Sequence, residues 1–540
     1  MVGTGISSIG QVPILGGGRT KSLSQLIKSM FSKGEAGFAY DMSDMSTLFQ
    51  DASGTIPVTA AGQPVGLILD KSKGLAYSAE LFTKFDSTLS STLSSTTTPT
   101  VVTSTVASGI YGAVINVNFM PEVYKISFAW EGNTTGREMF LSMPDGNNIS
   151  LGFGVTGTYD KFIRFKSQGG LAIMRSPNGM GQTFTISSVS VKRLLGNHAY
   201  QTFSASRPIL RQTPILGNEL VTNGNFVKDV SGWAGGNGGV ISKSLNGIKI
   251  SSSTSANTQA SQRALTLANK VVVVSAKFMN KVSTGAALVA LWSSSTGTIG
   301  SSTAPASAVE GVLSFTVQVP NGFSGDLILQ VNNSVAGNSV EFSDVSIKEI
   351  TGYRTDQNYL AFDGVDDFLV TNNIDFTLTD KVSLFAGVRK LSDAVQGSVV
   401  ELGRGVFLET SGSFVVNAPA GAGVAGYKTY VQGGSASTLA AETPATFPAP
   451  ISNVLTMHAD IANKISKLNV NGIDVSATTG AVLNGNFGNY PLYIGRRAGQ
   501  YIPFTGNIYS LIGISRLTTN SETIAIEKAI AKATGVTLNV

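Results

Sequence analysis

Residues 183–194, TFTISSVSVKRL, return in altered form at 339–350 as SVEFSDVSIKEI, with Val189 falling on Val345 and Lys192 on Lys348. The starts of the two copies correspond as well: ELFTKF begins at Glu80 and ELVTNGNF at Glu219. A repeat that matches at both ends marks two copies of one module, about 80–194 and about 219–350. Each has a length that suits a β-sandwich.

The patterning between those ends agrees. Runs rich in Val, Ile, Phe and Thr alternate with polar residues and are broken by Gly, Asn and Asp about every ten positions, the signature of many short strands. KLNVNGIDVSA predicts a hairpin with a type I′ turn at Asn471-Gly472. Helix is expected in two places only. In KSLSQLIKSMFSKG, Ser22 and Gln25 have capping-box spacing, and Leu23, Leu26, Ile27, Met30 and Phe31 form an apolar stripe. That stripe either packs on its own domain or anchors a neighbouring subunit. In TTNSETIAIEKAIAKATG, Thr519 and Glu522 form a capping box, Ile526, Ala529, Ile530 and Ala533 the buried stripe, and Gly535 the stop.

Length and composition narrow the class. A chain of 540 residues is long enough for about three domains with cores of their own. Only 13% of residues are charged and 61 are Gly, a composition common in β-rich extracellular and particle-coat proteins. The formal charge of +5 arises from 38 basic and 33 acidic residues without a long Lys/Arg run, so nucleic acid is not an expected partner. Cysteine is absent, which excludes disulfides and thiolate metal sites. MVGTGISSIGQVPILGGGRT carries no basic region ahead of an apolar core, and KVVVVSAKF is far too short to span a bilayer. Neither a signal peptide nor membrane insertion is expected.

Three stretches resemble known families. The second module, NELVTNGNFVKDVSGWAGG…VEFSDVSIKEI, resembles carbohydrate-binding and galactose-binding jelly rolls, with Asn223, Gly224, Phe226 and Trp233 in the opening and Phe342 to Ile347 in the close. The first copy lacks the Gly-Trp pair. YLAFDGVDDFLV (359–370) resembles a hairpin near the start of laminin-G-like, concanavalin-A-type lectin sandwiches. That family carries a preceding segment of the type D-S-S-G-N-x-N-H, which here is split between ILDKSKG, ending at Gly74, and LGNHAYQTFSASRPIL, resuming at Leu195. The closing LYIGRR…FTGNIYSLIGISRLTTNSETIAIEKAIAKATG is similar to the same family. A further segment, 39–72, is similar to one recurrent in structural proteins of tailed bacteriophages; Ser43, Asp44, Ser46 to Asp51, Pro57 to Thr59 and Gly62 to Ser72 carry the match.

These resemblances imply an all-β chain: a lectin-like, concanavalin-A-type β-sandwich interrupted by two jelly-roll β-sandwich domains, with short N-terminal and C-terminal helices. The expected organisation is an arm and docking helix at 1–35, a discontinuous sandwich of 36–74, 195–217 and 351–540, and jelly rolls at 75–194 and 218–350. Insertion at loop tips is what a folded domain tolerates.

No catalytic centre is visible, and the chain is expected not to be an enzyme. The acids Asp363, Asp366 and Asp367 crowd one turn. Asp363-Gly364 accounts for them as turn geometry, and Ca²⁺ is the one metal they could take, with oxygens from further loops. No other cofactor is expected. A glycosidase needs two carboxylates at fixed separation, and no ExDxxE strand occurs. GAGVAG (421–426) has the dinucleotide spacing but is followed by the strand-like YKTYVQGG rather than a helix. His198 and His458, the only histidines, read as structural. Trp233 reads as a core residue, with a sugar-stacking platform as the alternative. Binding-site residues for a glycan are not legible.

The resemblances together imply a virion structural protein, assembled in the host cytoplasm and released by lysis. The expected role is a tail fibre or appendage that binds host-surface polysaccharide. Its expected partners are other virion proteins and copies of itself, with a homotrimer the natural assembly for a fibre. Capsid decoration or a baseplate role without receptor binding, and a polysaccharide depolymerase, are the alternatives.

Overall fold

The computed structural model describes residues 21–132, 137–176, 180–254, 256–405, 411–434, 437–480 and 484–539. The Gly-rich arm at 1–20 lies outside them. Apart from two α-helices and short 3-10 turns the described chain is β, as expected, and divides into two compact units. One unit is Gln212–Asp356, and the other holds the described chain up to Arg211 and from Gln357.

In the larger unit a sandwich is built from three separated pieces of chain. One sheet runs antiparallel through Leu360–Asp363, Thr505–Ile514, Lys381–Lys390, Ile451–Asp460, Ile465–Val470 and Ile473–Asp474, with Gly37–Asp41 also on Thr505–Ile514. The facing sheet has ten strands. In spatial order they are Leu48–Phe49, Leu67–Ile68, Ala199–Tyr200, Leu369–Asp375, Asn489–Ile494, Ser398–Leu402, Phe414–Asn417, Lys428–Gln432, Thr438–Glu442 and Ala477–Gly480. Phe38, Tyr40, Ile68, Ala199, Leu360, Val400, Phe414 and Leu455, drawn from all three pieces, share one buried core between the sheets. The split segment is rejoined in space: the Asp70 amide donates to His198 Nδ1 at 2.9 Å, and the Asn197 amide to Asp70 Oδ2 at 2.7 Å.

The turn at Asn471-Gly472 has the expected left-handed backbone, φ 53° and 89°, and joins the paired strands Ile465–Val470 and Ile473–Asp474. YLAFDGVDDFLV is not a hairpin. Leu360–Asp363 pairs with Thr505–Ile508 in one sheet, whereas Leu369–Asp375 pairs with Asn489–Ile494 in the other. Its Asp-Gly turn carries the chain across the sandwich, because each strand finds a better-matched partner far away in sequence.

Helix α1, Leu23–Met30, and helix α2, Asn520–Thr534, both carry the expected capping boxes. Ile27, Met30 and Phe31 of the first stripe pack with Ile526, Ile530 and Ala531, against Phe385, Val454, Ile512 and Ile514 on the outer side of the first sheet. The first helix therefore covers its own domain. In α2 the buried stripe is Thr523, Ile526, Glu527, Ile530, Ala531 and Thr534; Ala529 and Ala533 are only half-buried, contrary to expectation. Glu527 can face inward because Thr456 Oγ1 donates to its carboxylate at 2.7 Å.

Residues 75–194 lie within the larger unit but have their own pair of five-stranded sheets and their own core, rich in aromatics such as Phe85, Tyr111, Phe128, Trp130 and Phe184. The second unit has one five-stranded sheet of its own, Ala234–Gly236, Ala256–Thr266, Ser324–Ser334, Ala287–Ser293 and Gly297–Thr303, and a mostly aliphatic core around Val272, Val274, Leu291, Leu329 and Phe342. The repeat seen in sequence is a shared backbone device. In the first copy the Glu80 carboxylate accepts from the Val191 amide and Ser190 Oγ, both 2.6 Å; in the second, Glu219 accepts from the Ile347 amide at 2.8 Å and Ser346 Oγ at 2.6 Å. Both closing strands bulge just before this clamp, at Ser188 and Asp344, whose φ values are 55° and 49°.

Candidate functional site

The acidic turn is the first candidate. Carboxylate oxygens of Asp363, Asp366 and Asp367 lie within 4.8 Å of one another. Each acid also has a partner in the fold. Asp363 Oδ1 accepts from the Val365 and Asp366 amides, Asp367 Oδ2 from the Asp363 amide, and Asp366 Oδ2 from Ser206 Oγ. Burial, with Asp363 and Asp366 nearby, pushes the Asp367 carboxyl up to about 6. Gly364 has φ +77° and a Cβ there would sit 2.0 Å from Thr505 Oγ1, so the turn geometry expected of Asp-Gly accounts for the stretch.

The remaining sequence candidates are structural. His198 is held neutral by burial, with Nδ1 on the Asp70 amide and Nε2 3.3 Å from the Leu194 carbonyl. His458 meets Thr518 Oγ1 at 3.1 Å and the edge of Phe385, and burial lowers its pKa too. Trp233 is buried against Phe226 at 5.4 Å between ring centres, inside the core of the second module. It offers no platform. GAGVAG is a tight turn, in which the Ala420 amide donates to the Gly426 carbonyl, and it feeds the strand Lys428–Gln432.

A site that sequence reasoning missed lies on the ten-stranded sheet, on the face turned away from the core. Side chains alternate across a strand, and Val400, Leu402, Phe414, Val416, Val431, Leu439, Ala441, Leu492 and Ile494 all point into the core. Their neighbours therefore point outward, and the strand register sets them in rows. One row reads Tyr200, Val370, Tyr493, Glu401, Val415, Tyr430, Ala440, Thr479. The next reads Ser398, Asn417, Lys428, Glu442, Ala477.

The chemistry of these rows is mixed aromatic and polar. Arg497 lies over Glu401, Nε to Oε2 3.4 Å, and Lys428 Nζ meets Glu442 at 2.8 Å while standing 4.9 Å from the centre of the Tyr430 ring. Burial pushes the Glu401 carboxyl up to about 7, against the pull of Arg497. At one end the Arg164 guanidinium, from the 75–194 module, covers Tyr200 at 3.2 Å from the ring centre. At the other end a groove of about 480 Å³ opens between Glu442, Thr443, Pro444, Ser476, Ala477 and Thr479. The middle of both rows is covered, with Glu401, Val415, Ser398 and Asn417 fully buried, so the accessible part of this face is the end where half-buried Tyr430 and the Lys428–Glu442 pair border the groove. The one sequence signal for the site was a charge in an otherwise apolar strand, Glu401 in SVVEL; its partners come from strands far apart in the chain.

No family model and no curated protein matches the chain. Solved structures match parts of it. The CBM40 of the Ruminococcus gnavus IT-sialidase is 21% identical over 28% of this chain and 84% of its own, with a TM-score of 0.24. The N-terminal CBM22-1-CBM22-2 tandem domain of Paenibacillus barcinonensis Xyn10C is 9% identical over 54% of this chain and 100% of its own, TM-score 0.19. The botulinum neurotoxin serotype D binding domain is 9% identical over 33% and 43%, TM-score 0.26.

Proposed function

We propose that this chain is a structural protein of a tailed-phage particle, a fibre or appendage component that binds host-surface glycan without cutting it. The observation that carries the glycan reading is the end of the ten-stranded sheet's outer face, where Tyr430 and the Lys428–Glu442 pair border a groove of about 480 Å³ lined by hydroxyl side chains. The particle reading rests on the phage-like segment 39–72. Its acids and lysine work as scaffold: Lys71 Nζ reaches Asp41 at 3.1 Å and Asp44 at 2.8 Å, and Asp70 ties the segment to residues 197 and 198. Several copies on one particle multiply weak single-site binding.

Binding without hydrolysis is supported by the spacing of acids on this face. Glu442 stands three strands from Glu401, roughly 14 Å at about 4.8 Å per strand, wider than either separation a glycosidase uses. The test is binding of labelled, assembled protein to host cells before and after enzymatic stripping of surface polysaccharide, with and without a calcium chelator. Saturable binding lost on stripping is the expected result. Binding indifferent to stripping would move the role to decoration or baseplate scaffolding, and release of reducing sugar would make the protein a depolymerase.

A further inference from the structure

The groove at the end of the sheet has a direction and a sign of charge that narrow its ligand. Toward the middle of the sheet it is closed. Ala440, between Tyr430 and Thr479 in one row, is 7% exposed, and Val415 and Glu401, beyond Tyr430, are fully buried. Along the edge it is open: Ala477–Gly480 is exposed throughout and, among the described residues, pairs with Thr438–Glu442 alone. The lining on this side runs from Val475 to Thr479, four residue steps or roughly 13 Å at about 3.3 Å each. A ligand therefore lies along the edge strand, and the length of contact limits it to a short stretch of chain.

Glu442 stands opposite Ala477, at the middle of that stretch, where the alanine leaves room beside the carboxylate. Among the described residues that line the groove it is the one charged side chain. Its cation, Lys428, meets it at 2.8 Å from outside the lining, and the acid is the more open of the two, 41% exposed against 23%. Two of the hydroxyls are already held by the fold. Ser476 Oγ accepts from the Leu468 amide at 3.0 Å and donates to Asp474 Oδ1 at 2.9 Å, and Thr443 Oγ1 accepts from the Tyr427 amide at 2.8 Å and donates to the Pro444 carbonyl at 3.2 Å. A ligand thus meets chiefly a carboxylate and the exposed Thr479. An ionised carboxylate only accepts hydrogen bonds, so it pairs with sugar hydroxyls and repels an acidic sugar. We propose, resting on the reading of this groove as the glycan site, that it takes a short stretch of uncharged glycan and turns acidic sugars away, with Glu442 the residue that sets the choice.

The test is affinity electrophoresis of the full chain and of its Glu442→Gln and Glu442→Asp variants, through gels containing soluble neutral polysaccharides (dextran, mannan, galactomannan, mixed-linkage glucan) or acidic ones (alginate, hyaluronan). Oligosaccharides of increasing length, cut from any retarding polymer, are then titrated by calorimetry. The expected result for the unaltered chain is retardation by a neutral polymer and none by the acidic ones, with affinity level from the trisaccharide upward. Glu442→Gln keeps the shape of the side chain, removes its charge and releases Lys428. It should bind the neutral polymer about tenfold more weakly, having lost the charged acceptor. It should also gain retardation by the acidic polymers, a gain that disappears at about 1 M salt, where charges are screened within about 3 Å. Glu442→Asp keeps the charge and should stay closed to acidic polymers, which separates the sign of charge from misfolding.

Retention of the unaltered chain by alginate or hyaluronan, a Glu442→Gln variant that treats both classes as the unaltered chain does, or affinity that keeps rising with length would overturn this proposal while leaving glycan recognition intact. No retardation by any polymer would also overturn it. If cell binding were in addition insensitive to stripping, the glycan reading itself would fall.

Discussion

The two repeated modules share a backbone device and little else. Both close with a bulged strand clamped by a glutamate from the module's opening, Glu80 on Ser190 and Val191, Glu219 on Ser346 and Ile347. Their cores are filled differently. The first packs Phe82, Phe85, Tyr111, Phe119, Tyr124, Phe128, Trp130 and Phe184, and the second mostly Val, Leu and Ala around Phe226 and Trp233. Trp130 sits on a strand, Val123–Gly132, whereas Trp233 sits in an opening loop, yet both are buried. The first module is also joined to the large sandwich, where Phe162 meets Phe49 edge-on and the Arg164 amide donates to the Ser53 carbonyl at 2.8 Å; the second forms a unit of its own. What the repeat preserves is the polar clamp on an irregular strand. Apolar filling is free to change so long as the volume is filled.

The two tryptophans carry the largest expected difference between the modules. Trp233→Ala should lower the calorimetric transition of the 212–356 unit by about 3–5 kcal/mol and leave the other transition in place, and Trp130→Ala should do the reverse. If Trp233→Ala spared stability and abolished polysaccharide retention, the side chain would be a binding platform and the account of its core role would be wrong.

Next come the clamps. Glu80→Ala and Glu219→Ala each strand a backbone amide and should cost about 1–3 kcal/mol in chemical denaturation, each in its own unit. Equal costs would show that the clamp acts alike despite the different cores. Arg164→Ala has no counterpart in the second module. It should destabilise the larger unit by about 1–2 kcal/mol, an effect that disappears in a Tyr200→Ala background if the stacking pair carries it.

The acidic turn predicts a pH dependence confined to the larger unit. The Asp367 carboxyl is raised to about 6 in the fold, above the unfolded value of about 3.9. The folded state therefore binds the extra proton between these values, and this group's contribution to stability falls as pH rises through that window. Asp367→Asn should flatten the slope between about pH 4 and 6; an unchanged slope would place its origin elsewhere. The smallest effect is at the bulges. Ser188→Gly should stabilise its module by about 1 kcal/mol, and Asp344→Gly by less, because Asp tolerates a left-handed backbone better than Ser.

Much of the fold was legible because it is written locally. Capping boxes at Ser22 and Thr519, the Asn471-Gly472 turn and the repeat all involve residues close in sequence or patterns that recur. The two halves of the split motif, far apart in sequence, meet at Asp70 and His198. What failed depended on pairing at a distance. The strands either side of Asp363-Gly364 look like a hairpin because alternation names a strand but not its partner. In α2 the stripe moved from Ala529 and Ala533 to Glu527, Ala531 and Thr534 since Thr456, on a strand some seventy residues earlier, gives Glu527 a buried partner. The outer face of the ten-stranded sheet is the extreme case. Tyr493, Glu401, Tyr430 and Thr479 belong to four different strands, and only the register of the sheet sets them in one row.

α1 and α2 pack together on the same sheet, and Arg516 fastens them, reaching Glu35 at 3.3 Å, Glu522 at 2.8 Å and the Met30 carbonyl at 3.2 Å. A pull on the segments that flank these helices would load the packing of α1 on α2, and the Arg516 contacts across it, before the strands that lie between them in sequence.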